Sequence, residues 1–266
     1  MGKFIAAVDS SGGSTAGVLE RYGQEYTEED KMDKIHAMRM RMVNSPNFNN
    51  QNIWGAILYE DTVRRGLVSI LKQKNIEAFL KVDRGCDDDG TLKQFPVKQM
   101  IDLAREHGCY GTKMRSIVNG VGMVHPVLKQ QFTLAQTISD HGLVPIIEPE
   151  VPIDNPIKGE VEEALLYHLY EFLDEYPSKC ILKLTPPETP NLYKPLLEFR
   201  NVEQVVFLSG GYTTAEACRR LSMADGVSAS FSRALTEGLN IDQSDEMFDA
   251  RFSLNISDIT KASEDK

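Results

Sequence analysis

The chain has 266 residues, 41% of them hydrophobic and 26% charged, with a formal net charge of −10. That length is close to the roughly 250 residues of a (β/α)8 barrel and suffices to bury a core without disulfide or metal staples. The acidic balance argues against nucleic acid or an anionic membrane as the main partner, but a local cluster of Lys and Arg can still hold an anionic small molecule.

Four cysteines, Cys86, Cys109, Cys180 and Cys218, stand far apart without a CxxC pair and read as reduced thiols of a cytoplasmic protein. The start, Met1-Gly-Lys-Phe-Ile-Ala, runs into a strand without a signal-peptide cleavage site, and no apolar run reaches the length of a membrane span.

In chain order, the first strand is expected over 4–9 and leads into the glycine-rich Ser10-Ser-Gly-Gly-Ser14. A long helix follows, opened by Glu28, Glu29 and Asp30, striped by Met32, Ile35, Met38 and Met42, and closed by Asn44-Ser-Pro46. The second strand is 54–60 and its helix runs from Asp61 to about Gln73. A third strand, 78–83, precedes the acidic Asp87-Asp88-Asp89, which reads as a solvated turn. Further strands are expected at 111–115, 144–150, 181–185, 205–211 and 226–233, with helices near 97–107, 126–140, 158–175, 191–200, 213–223 and 243–263. Eight strands alternating with about eight helices, with no linker, imply a parallel sheet. In an open doubly wound sheet the functional residues would gather at one switch point. Here polar residues end nearly every strand, which favours one (β/α)8 barrel spanning 1–266 as a single domain.

Residues i and i+2 of a strand face the same way. Lys81 and Asp83, Lys113 and Arg115, and Glu148 and Glu150 are such pairs, so three successive strands each aim two charges into one space. Buried charges must neutralise one another or meet a ligand. Ion-pair layers closing the barrel would account for one pair alone, whereas three pairs joined by Lys183 and Asp9 point to a site. Lys183 sits among Ile181, Leu182 and Leu184. Desolvation and the cations Lys113 and Arg115 would lower its pKa and leave an amine able to attack a carbonyl. Glu148 and Glu150 are the candidate acid–base groups, with Asp9 a further carboxylate.

Two segments suit anions. Leu208-Ser-Gly-Gly211 ends a strand before a helix, so Ser209 and the backbone N–H groups of Gly210 and Gly211 can cradle a phosphate, with Ser230 close by and Arg233 supplying charge. The second is Ser10-Ser-Gly-Gly-Ser14, with Ser11, Ser14 and the cation Lys81. One such segment on each side of a lysine amine suggests a substrate phosphorylated at both ends. None of the five histidines falls at a strand end, so no metal site is expected.

The motifs Ala7-Val-Asp-Ser-Ser-Gly-Gly-Ser14, Leu80-Lys-Val-Asp-Arg-Gly85, Gly111-Thr-Lys-Met-Arg115, Leu143-Val-Pro-Ile-Ile-Glu-Pro-Glu150, Leu182-Lys183, Phe207-Leu-Ser-Gly-Gly211 and Phe231-Ser-Arg-Ala-Leu235 follow one another in a specific order. In them the chain resembles the class I fructose-1,6-bisphosphate aldolases, particularly the compact bacterial type. The resemblance implies Lys183 as the Schiff-base lysine, so that no separate cofactor is needed, and Glu148 as the shuttle for carbinolamine dehydration. It implies Glu150 and Lys113 for charge balance, and Asp9 for the substrate hydroxyl at the cleaved bond. Ser209, Gly210, Ser230 and Arg233 would hold the 1-phosphate, and Ser11, Ser14 and Lys81 the 6-phosphate, with Arg115 and Gly211 also at the substrate. The animal enzymes carry a tail ending in a Tyr that helps proton exchange, but no Tyr follows Tyr212 here and the chain ends Lys261-Ala-Ser-Glu-Asp-Lys266. The helix usual before the first strand is also absent, so the bottom of the barrel is expected to be less covered. The expected reaction is reversible cleavage of fructose 1,6-bisphosphate into dihydroxyacetone phosphate and glyceraldehyde 3-phosphate. Alternatives are a lysine-dependent aldolase for a singly phosphorylated ketose or tagatose bisphosphate, or a catalytically weak binding or scaffold homologue. Association into a homo-oligomer is compatible with this reading.

Overall fold

All eight expected strands form, and they pair in parallel in unbroken chain order, β1 through β8. The computed structural model describes residues 3–11 and 13–264. Met1, Gly2, Asp265, Lys266 and Gly12 of the first glycine-rich segment lie outside the described residues. The chain runs β1 (Phe4–Ala7), α1 (Gly13–Tyr22), α2 (Lys31–Asn44), β2 (Ile53–Leu58), α3 (Glu60–Arg64), α4 (Leu67–Gln73), β3 (Glu77–Lys81), α5 (Val97–His107), β4 (Gly111–Ile117) and α6 (Val121–Ser139). It continues β5 (Val144–Glu150), α7 (Lys158–Glu175), β6 (Cys180–Leu184), a 3-10 turn (Lys194–Glu198), β7 (Val202–Phe207), α8 (Thr214–Leu221), β8 (Ser228–Ala229), α9 (Arg233–Thr236) and α10 (Asp245–Ala262). The last strand meets the first where the Ala7 N–H donates to the Phe231 carbonyl at 3.2 Å, so the sheet is a nearly closed barrel ringed by helices. Among the described residues no helix is long and apolar enough to cross a membrane.

Alternation along the strands sorts side chains into two cores. Ile5, Ala7, Ile57, Phe79, Ile146, Ile181 and Val206 form an inner cluster inside the barrel. The other strand faces, among them Phe4, Leu58, Leu80, Met114, Leu182 and Phe207, join the helices in a separate outer core. Two glycines make the interior fit. A Cβ on Gly111 would lie 1.9 Å from the Val144 carbonyl oxygen and 2.9 Å from the Phe79 ring, and one on Gly55 would also lie 2.9 Å from that ring. Phe79 packs against Trp54 in a tilted contact and against Tyr110 edge-to-face, at centroid separations of 5.7 and 5.6 Å. These three rings fill the barrel near the amino ends of β2 to β4, with Phe79 buried and Trp54 and Tyr110 half-buried. The interior is therefore solid, and polar side chains further along the same strands can only gather at the carboxyl end.

The departures from the sequence reading have local causes. The helix expected from Asp61 to Gln73 breaks into α3 and α4 at Gly66, whose φ of 86° is left-handed. The helix expected at 191–200 is only a 3-10 turn over Lys194–Glu198, because Pro195 has no N–H to donate to the Asn191 carbonyl and Asn191 itself sits at a left-handed φ of 63°. Helix α6 starts five residues before Pro126, which it accommodates internally. Helical signals are strong only from Glu28 onward, whereas α1 already forms over Gly13–Tyr22. The strand expected over 226–233 pairs over two residues only, and Arg233 opens the short α9 instead. Asp87-Asp88-Asp89 is an exposed turn, as expected.

Candidate active site

The polar pairs at period two sit on top of the apolar plug. Register sets Lys81 of β3 beside Lys113 of β4, and Arg115 of β4 beside Glu148 of β5. The Lys113 ammonium lies 2.7 Å from Asp9 Oδ2 and 3.2 Å from Glu148 Oε2. The other oxygen of Glu148, Oε1, is 3.1 Å from Lys183 Nζ on β6. Asp9, Lys113, Glu148 and Lys183 thus form one continuous chain of alternating charge, and all four are buried. Arg115 pairs with Glu150 Oε2 at 2.8 Å beside this chain. Lys81 donates to Ser11 Oγ at 2.8 Å and lies 3.6 Å from Asp83.

Burial and these pairings pull against each other. Burial would raise the Asp9 carboxyl, but Lys113, Lys183 and Lys81 outweigh it and hold the group far below the usual carboxylate range. Glu148 follows the same pattern: desolvation raises it, and Lys113 and Lys183 bring it down to a net lowering. Glu150 moves the opposite way, because burial, reinforced by the Glu148 charge, outweighs Arg115. The two carboxylates of β5 are therefore driven apart, as their different neighbours require. Burial would lower Lys113, yet Asp9 and Glu148 raise it. Lys81 is lowered, first by burial and then by Lys113. Cations were expected to crowd Lys183, but strand register interposes the Glu148 carboxylate between Lys183 and Lys113.

A cavity of about 280 Å3 opens over this chain, lined by Asp9, Lys81, Lys113, Arg115, Glu148, Glu150 and Lys183, and also by Ser14, Ser209, Gly210, Gly211, Ser230 and Arg233. Gly210 and Gly211 turn with φ of 55° and 111°, a conformation that favours glycine. The Arg233 guanidinium lies over this turn, 3.6 Å from where a Cβ on Gly211 would be. Ser230 Oγ is buried without a hydrogen-bond partner among the described residues. At the opposite end Ser14 Oγ donates to the Ser11 carbonyl and accepts from the Ser11 N–H, closing the turn on itself. Ser11 is absent from the cavity lining and is held by Lys81 instead. All the expected site residues except Ser11 thus meet in one cavity. A larger, mostly apolar hollow of about 810 Å3 lies elsewhere, between Leu92–Val97 and α6, without a carboxylate in its lining.

Several supporting residues escaped the sequence reading. For Asp83 only the second task escapes it, since the sequence marks this residue as half of a charged pair aimed into the site. It also accepts from the backbone N–H groups of Gly85 and Arg115 and so fixes the β3 and β4 ends. Gln131 of α6 accepts from the Glu148 N–H at 3.2 Å. Lys158 and Glu162 form a buried pair, with Lys158 donating to the Pro186 carbonyl at 2.9 Å and Glu162 accepting from the Glu188 N–H at 2.9 Å. That pair anchors the loop following Lys183. Arg39, on the apolar side of α2, is 2% exposed. Its position one turn after Ile35 was a readable signal, since a charge on a buried stripe requires a reason.

Among the described residues no group of three or more His, Cys, Asp or Glu side chains is arranged to hold a metal ion. The five histidines lie on helices or, for His141, in the turn after α6. Fold and site together define a (β/α)8 barrel protein with a lysine–carboxylate centre at the carboxyl ends of its strands. Residues 1–177 match the model of a family described as glycolytic, fructose-bisphosphate aldolase class-I. The chain is 44% identical to the fructose-bisphosphate aldolase class 1 of Synechocystis sp., over 98% of this chain and 93% of that protein. Identity to the protein of the same name from Clostridium acetobutylicum is 41%, covering 98% and 95%. The chain belongs to the class I fructose-bisphosphate aldolase family. In fold it is similar to a fructose-bisphosphate aldolase of Plasmodium falciparum (TM-score 0.80, 20% identity, covering 98% of this chain and 90% of that one). It is also similar to an archaeal fructose-1,6-bisphosphate aldolase solved with its catalytic Lys covalently bound to a carbinolamine intermediate (TM-score 0.52, 11% identity, covering 97% and 94%).

Proposed function

We propose that the chain, acting as one catalytic domain, reversibly cleaves fructose 1,6-bisphosphate into dihydroxyacetone phosphate and glyceraldehyde 3-phosphate through an imine on Lys183. The observation that carries this reading is the 3.1 Å contact between the Lys183 amine and a buried carboxylate that is itself held by Lys113. Glu148 takes a proton from the Lys183 ammonium, and the free amine adds to the C2 ketone. Glu148 then returns that proton to the carbinolamine hydroxyl, water leaves, and a protonated imine remains. A carboxylate of the Asp9–Glu148 pair, bridged by Lys113, removes the proton of the 4-hydroxyl. The C3–C4 bond breaks, its electron pair passes to the imine as an enamine, and the aldehyde product departs. Protonation of the enamine at C3 and hydrolysis of the imine release dihydroxyacetone phosphate and regenerate Lys183. Arg115 and Glu150 balance charge beside these steps.

Ser209, Gly210, Gly211, Ser230 and Arg233 hold the 1-phosphate in this reading. Support comes from the left-handed Gly-Gly turn under the Arg233 guanidinium and the unpartnered Ser230 hydroxyl. Lys81, Ser11 and Ser14 hold the 6-phosphate, which requires the Ser11–Ser14 turn to exchange its internal bonds for the ligand. Four unpaired thiols suit a reducing, cytoplasmic setting and a place in sugar-phosphate metabolism. The test is borohydride reduction in the presence of dihydroxyacetone phosphate, followed by mass mapping. A stable adduct on Lys183 is expected. No adduct on any lysine, in folded protein that binds the ligand, would refute the reading.

A further inference from the structure

Arg39 is a fully buried cation that makes no ion pair among the described residues. It lies on the inward side of α2, where packing alone calls for an apolar residue. Nη1 donates to Thr62 Oγ1 at 2.6 Å, and Nη2 donates to the Ser10 carbonyl at 2.5 Å, with Ser10 Oγ at 3.3 Å. Nε has no partner. Burying a guanidinium this way is costly, and an apolar side chain of similar volume would serve stability as well or better. The charges that favour it come from Asp9 and Asp61, neither of which pairs with it directly. Burial lowers its pKa to about 10, so it stays charged at neutral pH.

The location of its bonds gives the reason for the charge. Ser10 lies between Asp9, whose carboxylate holds Lys113, and Ser11, whose hydroxyl accepts from Lys81. We infer that Arg39 is a positioning residue for cleavage of the bisphosphate. By clamping the Ser10 carbonyl to α2 and to Thr62, it fixes the turn that presents Asp9 to the cleaved bond and Ser11, Ser14 and Lys81 to the distal phosphate. This rests on the aldolase reading above. It assigns the clamp to only half the site: Lys183 and Glu148 stand on β6 and β5 and are not bonded to Arg39.

The test uses the full chain with Arg39→Met and, as a milder change, Thr62→Val, which removes one acceptor and leaves the charge. Arg39→Met is expected to lower kcat by about 10- to 100-fold, the scale set by a small misplacement of a reacting group. KM should rise for fructose 1,6-bisphosphate but stay constant for fructose 1-phosphate, which lacks the distal phosphate. Borohydride trapping of dihydroxyacetone phosphate on Lys183 should remain within twofold of the unmodified protein. Thr62→Val should show the same pattern at a few-fold, and decides alone if Arg39→Met does not fold. A lower Tm with kcat and KM within twofold would make Arg39 a scaffold residue and overturn the inference. A fall in trapping parallel to the fall in cleavage would overturn it too, since the effect would then not be confined to the turn. Failure of the unmodified protein to form any adduct would instead defeat the aldolase reading itself.

Discussion

Replacing Glu148 with Gln tests the centre of the site most sharply, because it changes charge with little change in shape. The carboxylate bridges two ammonium groups, at 3.1 Å from Lys183 and 3.2 Å from Lys113. At these distances each contact has a Coulomb scale on the order of 5 kcal/mol for an effective dielectric near 20, opposed by the desolvation of the same groups. The amide cannot take the Lys183 proton, and it cannot return a proton to the carbinolamine hydroxyl. Loss of such a proton carrier costs about 10²- to 10⁴-fold in rate. The adduct with dihydroxyacetone phosphate should therefore still form on Lys183, but at least about 100-fold more slowly in a rapid-quench borohydride assay. Circular dichroism and urea unfolding would establish that the variant is folded. Trapping within twofold of the unmodified protein, in a folded variant, would refute the assignment of Glu148 as the proton carrier.

Lys81 has a pKa lowered by burial and by Lys113, so rising pH strips its proton earlier than from an exposed lysine. KM for fructose 1,6-bisphosphate should rise on the alkaline side of neutrality, and Lys81→Arg, whose guanidinium keeps its charge, should flatten that rise; an unchanged profile would remove Lys81 from the distal phosphate site. Gly111→Ala puts a methyl 1.9 Å from the Val144 carbonyl oxygen and 2.9 Å from the Phe79 ring. Unfolding free energy in urea should fall by about 3 kcal/mol or more, and a loss under about 0.5 kcal/mol would contradict the tightly filled barrel interior. Cleavage activity should survive dialysis against a chelator, since Lys183 supplies the electron sink; activity lost to the chelator and restored by a divalent cation would contradict the imine route.

Much of this protein is legible from its residues alone. Period-two placement of Lys81 with Asp83, Lys113 with Arg115, and Glu148 with Glu150 is a local property of a strand, so direction could be read before any fold was known. Alternation of strand and helix implies a parallel sheet, because parallel strands need crossovers, and polar residues at nearly every strand end favour its closure into a barrel. The same logic explains the failures. Gly66 breaking one helix and Pro195 withholding a donor from another were local signals whose consequences depend on what the neighbouring turns can pack against. Partner identity was decided by tertiary structure. Register between β5 and β6 placed a carboxylate, and not a cation, beside Lys183, and a one-residue slip would have turned either side chain to the opposite face. Arg39 shows the remaining gap: its position on an apolar stripe could be seen along α2, but its acceptors, Ser10 and Thr62, lie 29 and 23 residues away. Hydrogen-bond geometry over that span is fixed only when the chain has closed, because it depends on the relative placement of three elements that share no local periodicity.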